Sequence, residues 1–256
     1  MIELTKKVKE VAKEAGAHLV GIAPLERFVQ APQGHRPEDL LKNAKSVISM
    51  ACAIPYGVIK TAPSHSYLTY GYDLLNQRMH EAAFAVTWFL EEEGYISLPI
   101  PAGATLSVEI NEEGPEPFVY RMGVFSHRHA AAEAGLGEIG IHSALVTPQY
   151  GARVILVSVI TSAELLSDPK LTEKVCDPER CGTKCVKGCP GKALPGDRTI
   201  NQYRCMVSRL RRVGEPYDLN RFKEYAKAHP LLRNSKFPVA LPTCVRCIIS
   251  CPIGAL

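Results

Sequence analysis

Cysteine is almost missing from the first 175 residues of this 256-residue chain, where Cys52 stands alone. Tryptophan occurs once, as Trp88, and aromatic residues make up only 7% of the whole, so packing must rest on aliphatic side chains. No run approaches the ~18 uninterrupted apolar residues that a membrane-spanning helix needs. The opening MIELTKKVKEVAK has no apolar signal core, no cleavage site and no twin arginine, so a cytoplasmic protein with no membrane partner is expected. A charge excess of one sign is lacking too. The 30 basic and 26 acidic residues leave +4, too mild to point to a nucleic-acid binder by itself. With 46% apolar and 22% charged residues the chain is neither disordered nor fibrous, and it is long enough to bury a core without disulfides.

Apolar periodicity supplies the first elements. Leu4, Val8, Val11, Ala12 and Ala15 predict a helix over 3–15 with Gly16 at its end. HLVGIA (18–23) and SVISMACAI (46–54) predict buried strands, the second ended by Pro55. A short helix is expected over 38–44 and a loop over 56–66. Leu75, Met79, Ala82, Val86 and Phe89 predict a long helix over 73–93, with Trp88 assigned to its core face and Glu91–Glu93 to a solvated end. Residues 95–120 read as a mixed stretch with turns at Pro99, Pro101 and Gly114-Pro115. A short Ala-rich helix is expected at about 129–134. ARVILVSVI (152–160) is β-branched enough to be central in a sheet. Beyond about residue 165 the chain turns rich in Cys, Pro, Gly, Lys and Arg, with helices expected at about 199–212 and 218–228. The division is an α/β domain over 1–165 and a cysteine-rich domain over 166–256.

Eight of the nine cysteines lie in the last 81 residues. They run Cys176-x4-Cys181-x3-Cys185-x3-Cys189-Pro190, then Cys205, then Cys244-x2-Cys247-x3-Cys251-Pro252. CVKGCPGKAL and CIISCPIGAL form an imperfect repeat, C-x-x-x-C-P-x-x-A-L. Bacterial ferredoxins carry C-x2-C-x2-C-x3-C-P, whose fourth cysteine ligates the other cluster. Two sets of four thiolates match two [4Fe–4S] clusters. Crossing the ligands gives Cys176, Cys181, Cys185 and Cys251 for one and Cys189, Cys205, Cys244 and Cys247 for the other. Each oxidised four-thiolate cluster carries about −2, so two would bring the chain near neutrality. Structural zinc competes, though it favours paired knuckles and does not require the terminal C-P. Disulfides compete less well in a chain without an export signal. Cys52, in an apolar strand, reads as a buried thiol.

GLGEIG (135–140) matches G-x-G-x-x-G, but a helical stretch precedes it where a dinucleotide site needs a strand. It reads equally as a helix end with a tight turn, or as a backbone wall for a bulky cofactor. His127, Arg128 and His129 are candidates for a proton donor or anion contact, or are helix-entry residues. Tyr67, Tyr70 and Tyr72 allow the same choice between donor and packing. Nine Lys/Arg against three acids between 204 and 236 read as a solvated face or as a dock for an acidic electron donor or RNA.

The chain resembles the superfamily of epoxyqueuosine reductases and reductive dehalogenases, cobalamin-dependent iron–sulfur enzymes. The resemblance rests on AGAHLVGIAPLERF (15–28), LLKNAKSVISMACAIPY (40–56), HAAAEAGLGEIGIHSALVTPQYGARVILVSVIT (129–161), CVKGCPGKAL (185–194), INQYRC (200–205) and CVRCIISCPIGAL (244–256). It implies a nitroreductase-like α/β core holding base-off cobalamin, followed by a ferredoxin-like domain with two [4Fe–4S] clusters that pass single electrons to cobalt. The glycine segment, Gly135, Leu136, Gly137 and Gly140, is then the expected cobalamin contact. Epoxyqueuosine reductases carry a proton-donating aspartate about fourteen residues before the first glycine of this segment. Counting back from Gly135 gives Arg121, and no Asp or Glu lies between Glu116 and Glu133. The chain stops five residues after Cys251, before the helical region that helps such enzymes hold tRNA. The expectation is an anaerobic cytoplasmic oxidoreductase, with a donor of ferredoxin or flavodoxin type and a small-molecule or corrinoid substrate. Nucleic acid as a partner is left open. The alternatives are an electron-transfer protein or corrinoid-protein activator without its own corrin, and a tRNA-modifying reductase. No catalytic residue follows from the sequence.

Overall fold

The computed structural model describes residues 1–62, 64, 66–102, 107–111, 118–202, 204–205 and 244–255, with backbone alone for 107–111 and 118–122. A four-stranded antiparallel sheet forms its centre, in the order β1 (Leu19–Pro24), β2 (Ser46–Ala53), β8 (Val154–Thr161), β3 (Ser97–Ile100). All eight residues of β2 are buried, as its apolar run requires of a strand covered on both faces. β8 lies inside the sheet, as its composition predicts. A hairpin, β4 (Ser107–Asn111) and β5 (Phe118–Met122), and a two-residue pair, β6 (Glu138–Ile139) and β7 (Leu145–Val146), stand apart from it.

Strand alternation sends successive side chains to opposite layers. Ile22, Ile48, Met50, Cys52, Val157 and Val159 pack under α1 (Ile2–Glu14) and α4 (Leu74–Glu92). Ala23, Val47 and Ile160 face α5 (His127–Glu133) on the other side. The result is a three-layer mixed α/β body. α2 (Pro37–Leu40) and α3 (Tyr56–Lys60) are single-turn elements. Among the described residues no helix is long and apolar enough to cross a membrane.

Four expectations need correction. Trp88 is 56% exposed and stacks on exposed Phe84. The buried face of α4 runs through Leu75, Met79, Ala82, Val86 and Leu90, and residue 88 is about 200° around the helix from 86. Pro99 stands inside β3 and makes no turn; β3 is an edge strand, where a missing N–H costs no ladder bond. The expected loop over 56–66 contains α3, started by Pro55 at its N-cap. The helix expected over 38–44 is only Pro37–Leu40. Of the helices expected at about 199–212 and 218–228, everything after Cys205 lies outside the described residues, as does all but Arg204 of the basic segment. Gly114-Pro115 lies outside them too.

Candidate metal centre

The cysteine-bearing chain is built from single helical turns. Asp177 opens α6 (Pro178–Cys181), its Oδ1 accepting from the Arg180 N–H at 3.1 Å. Gly182 and Thr183, both left-handed, break the chain before α7 (Lys184–Lys187) starts. A further turn is α8 (Arg246–Ile249). Breaks between turns this short space the cysteines along the chain and let their side chains converge. α7 and α8 pack together, with Gly188 directly beneath Ser250.

None of the nine cysteines is joined in a disulfide. The thiols of the tail gather in two groups. Burial pushes Cys185 up to about 11, and Cys251, Cys181 and Cys176 stand close enough to raise it further. Cys251 is raised by burial and by the same Cys176 and Cys181. Burial pushes Cys247 up to about 12, with Cys205, Cys244 and Cys189 adding to the rise. The groups are thus Cys176, Cys181, Cys185, Cys251 and Cys189, Cys205, Cys244, Cys247, each drawing on both halves of the tail. Cys185, Cys247 and Cys251 resist ionisation by themselves, because burial and neighbouring thiols raise them, whereas metal coordination deprotonates a thiol outright. The donor set therefore suits a cationic core. Among the described residues no three His, Cys, Asp or Glu side chains close on one point as the ligands of a single ion do. A cubane takes each thiolate at a separate corner, so its four ligands stand further apart than those of a lone zinc ion. The Ala193 N–H points at Cys189 Sγ, 3.3 Å away.

Asp168, Glu138 and Arg153 are among the side chains that fasten this tail to the α/β body. Asp168 joins α1 and β1: its Oδ1 lies 2.6 Å from Lys9 Nζ and its Oδ2 accepts from the Ile22 N–H at 2.8 Å. Glu138 Oε1 accepts from the main-chain N–H groups of Val175, at 2.6 Å, and Cys176. At the other end Arg153 donates to Gly254 O (3.1 Å) and Ile54 O (2.7 Å), and lies over the Tyr56 and Tyr150 rings. A shallow cleft beside it is lined by Tyr56, Lys60, Tyr150, Ile249 and Cys251. None of Asp168, Glu138 and Arg153 carries a local signal for these roles, because every side-chain hydrogen-bond partner is distant in sequence.

The glycine segment is a helix end. Leu136 N bonds Ala131 O and Gly135 N bonds Ala132 O, the two bonds of a Schellman cap, with Gly135 at φ +77°. The side-chain directions of Gly135 and Gly137 are filled by the Pro169 and Val146 carbonyls. Leu136 is buried against Ala51, Ala131 and Leu145. The close approach that Gly135 and Gly137 permit is thus to the chain's own backbone. Gly140 faces the ring of His142. His142 is 3% exposed, its Nδ1 accepts from the Ala144 N–H at 3.2 Å, and its Nε2 meets no partner among the described residues. Burial lowers this imidazole to about 4.

The histidine and arginine candidates are engaged. His127 Nε2 bonds Pro101 O at 3.0 Å and its Nδ1 bonds Ser158 Oγ at 2.9 Å, which gives the neutral ring its Nε2 proton. His129 bonds Ser126 Oγ at 2.6 Å, and Arg128 holds Ser143 through its carbonyl and its hydroxyl. Burial lowers both His127 and His129. Tyr67 is buried and Tyr70 is 56% exposed. Cys52 is fully buried, its thiol raised by burial and 3.6 Å from His18 Nδ1. That nitrogen already accepts from the Ala53 N–H at 2.8 Å.

No protein-family model matches the chain. An epoxyqueuosine reductase of Prochlorococcus marinus is 26% identical over 231 residues, spanning 80% of this chain and 67% of its own length. A tetrachloroethene reductive dehalogenase of Dehalobacter restrictus is 28% identical over 238 residues, 77% of this chain and 39% of that protein. Among solved structures, the epoxyqueuosine reductase of Streptococcus thermophilus superposes with a TM-score of 0.62 at 19% identity, over 99% of this chain and 66% of the other. A catabolic reductive dehalogenase superposes with a TM-score of 0.55 at 19% identity, over 73% of this chain and 25% of the other. The chain therefore spans less than two thirds of the dehalogenase relative, and the structural likeness is one of fold.

Proposed function

From a chain related to both the epoxyqueuosine reductases and the reductive dehalogenases, we propose an iron–sulfur oxidoreductase. Cys176, Cys181, Cys185 and Cys251 hold one [4Fe–4S] cluster, and Cys189, Cys205, Cys244 and Cys247 hold the second, in a ferredoxin-like tail over 166–256. The observation that carries the reading is the crossed grouping of the eight thiols. A linear chain with separate knuckles would gather Cys189 with Cys185, and Cys251 with Cys247.

The acceptor is a cobalamin on the 1–165 body, which is then nitroreductase-like. One solved reductive dehalogenase of this fold is described in terms of B12-dependent dehalogenation. In this chain the Nε2 of His142, beside Gly140, is a buried polar atom with no partner among the described residues, which supports a polar group bound at this end of the glycine segment. When bound, the clusters carry single electrons and the corrin performs the reduction.

The chain's own part is ligation, anchoring and exclusion of water. Val245, buried with the main core, and half-buried Ile248 and Ile249 seat α8 against the body. The Ala193 N–H supports the sulfur of Cys189. Arg153 ties the segment after Cys251 to β2's end. A low-potential donor of ferredoxin or flavodoxin type supplies the electrons, and the substrate is a small molecule or a corrinoid centre.

Anaerobic reconstitution tests the reading. About eight iron atoms per chain are expected from two four-iron sites, with a corrin spectrum retained after cobalamin is added. A colourless protein, or one that takes up zinc in place of iron, ends it.

A further inference from the structure

Glu138 stands between the second and third glycines of GLGEIG, in β6. Its side chain is only 22% exposed, and its Oε1 accepts both the Val175 and the Cys176 main-chain N–H. The Arg198 guanidinium lies 3.7 Å from Oε2 and is itself 58% exposed. We propose that Glu138 is a positioning residue that fixes the first thiolate of the Cys176 set and lowers that cluster's reduction potential. The Cys176 cluster is thereby the more reducing of the two, with Arg198 as a partial counterweight. The inference rests on the cluster reading above.

Two effects act with the same sign. A cluster becomes more negative when reduced, so a fixed carboxylate one main-chain amide away from its ligand opposes the incoming electron. Hydrogen bonds to cluster sulfur favour the reduced state, and the Cys176 N–H is withdrawn from that use because it serves the carboxylate. The second set shows the reverse, since the Ala193 N–H is aimed at Cys189 Sγ. Arg198 offsets the carboxylate only in part, because water and salt screen the more exposed charge more strongly. The two clusters are thus set apart by chemistry that the cysteine spacing does not encode.

The test is a potentiometric titration of the anaerobically reconstituted chain, followed by electron paramagnetic resonance. Glu138→Gln keeps an amide oxygen for both N–H groups and removes the charge. One midpoint is expected to move positive, with the other unmoved and iron still at about eight per chain. The shift persists in a Cys205→Ser background, which retains only the Cys176 set. Arg198→Gln moves the same midpoint negative. A fully iron-loaded Glu138→Gln protein with both midpoints at their original values overturns the proposal, as does a shift confined to the other cluster. A wild-type chain that binds no iron fails earlier, at the parent reading.

Discussion

Gly188 and Ser250 occupy the same place in the two C-x-x-x-C-P segments, and they touch. A Cβ built on Gly188 would fall 2.7 Å from Ser250 Oγ and 3.0 Å from the Lys184 carbonyl. The two halves of the repeat therefore cross at equivalent positions, which places each C-P cysteine beside the other half's thiols. Gly188→Val forces α7 away from α8 and is expected to cost about 1–3 kcal/mol as overpacking. Both clusters depend on that crossing, so iron per chain falls for both. Gly188→Ala, which a rotated Ser250 hydroxyl can partly accommodate, loses less. Iron analysis and visible absorbance of the two variants decide it. Full loading of the valine variant would mean that the crossing is not needed.

Much of this was legible in the residues. A continuous apolar run gave β2, β-branched content gave β8, and helical spacing gave α1 and the buried face of α4, while the repeated C-P segments pointed to the two sets of four thiols proposed above. Trp88 went astray because an aromatic was assigned to the core by its type, although its angular position on α4 places it opposite Val86. Pro99 went astray because only the strand order shows that β3 is an edge. Glu138, Asp168 and Arg153 were invisible for another reason. Their side-chain hydrogen-bond partners lie 37 residues away or more, and no local pattern marks a carboxylate that will receive a distant N–H.

Asp168 is where the segment leading to the tail is pinned to the body. It meets Lys9 at 2.6 Å and the Ile22 N–H at 2.8 Å, with both charged side chains more than two-thirds withdrawn from solvent. Asp168→Ala leaves a lysine without its partner and an amide without its acceptor, for an expected loss of about 1–3 kcal/mol. Asp168→Asn keeps an oxygen for Ile22 and loses less. At about 2–4 °C per kcal/mol for a chain of this size, the alanine variant melts several degrees lower. Calorimetry of the two variants checks the order. Equal melting points would show that the pair adds nothing.

Acid stability should carry the signature of His142. Burial holds its folded-state pKa at about 4, below the ordinary value of 6.5. The unfolded chain therefore takes up the proton first as pH falls. The stabilisation is whole above about 6.5 and drains away between about 6.5 and 4. By pH 5 the loss is on the order of 2 kcal/mol. His142→Gln removes the titration, so its urea midpoint should change less between pH 7 and pH 5. His127 and His129, also lowered by burial, leave a common slope in both proteins. Parallel curves for the two would place the unpartnered nitrogen in contact with water.

The crossing of ligands between the halves of the tail separates cleanly in double variants. Cys185 and Cys251 belong to one group, and Cys185 and Cys247 to different groups. Replacing a single thiolate is expected to remove one cluster and leave about four irons. Cys185→Ser with Cys251→Ser strikes the same cluster twice, so about four irons remain. Cys185→Ser with Cys247→Ser strikes both, and the chain comes out nearly iron-free. An uncrossed arrangement, with Cys189 beside Cys185 and Cys251 beside Cys247, predicts that either pair empties the chain. Iron counts on these two double variants, each purified under anaerobic conditions beside its single-site parents, distinguish the arrangements without reference to any substrate.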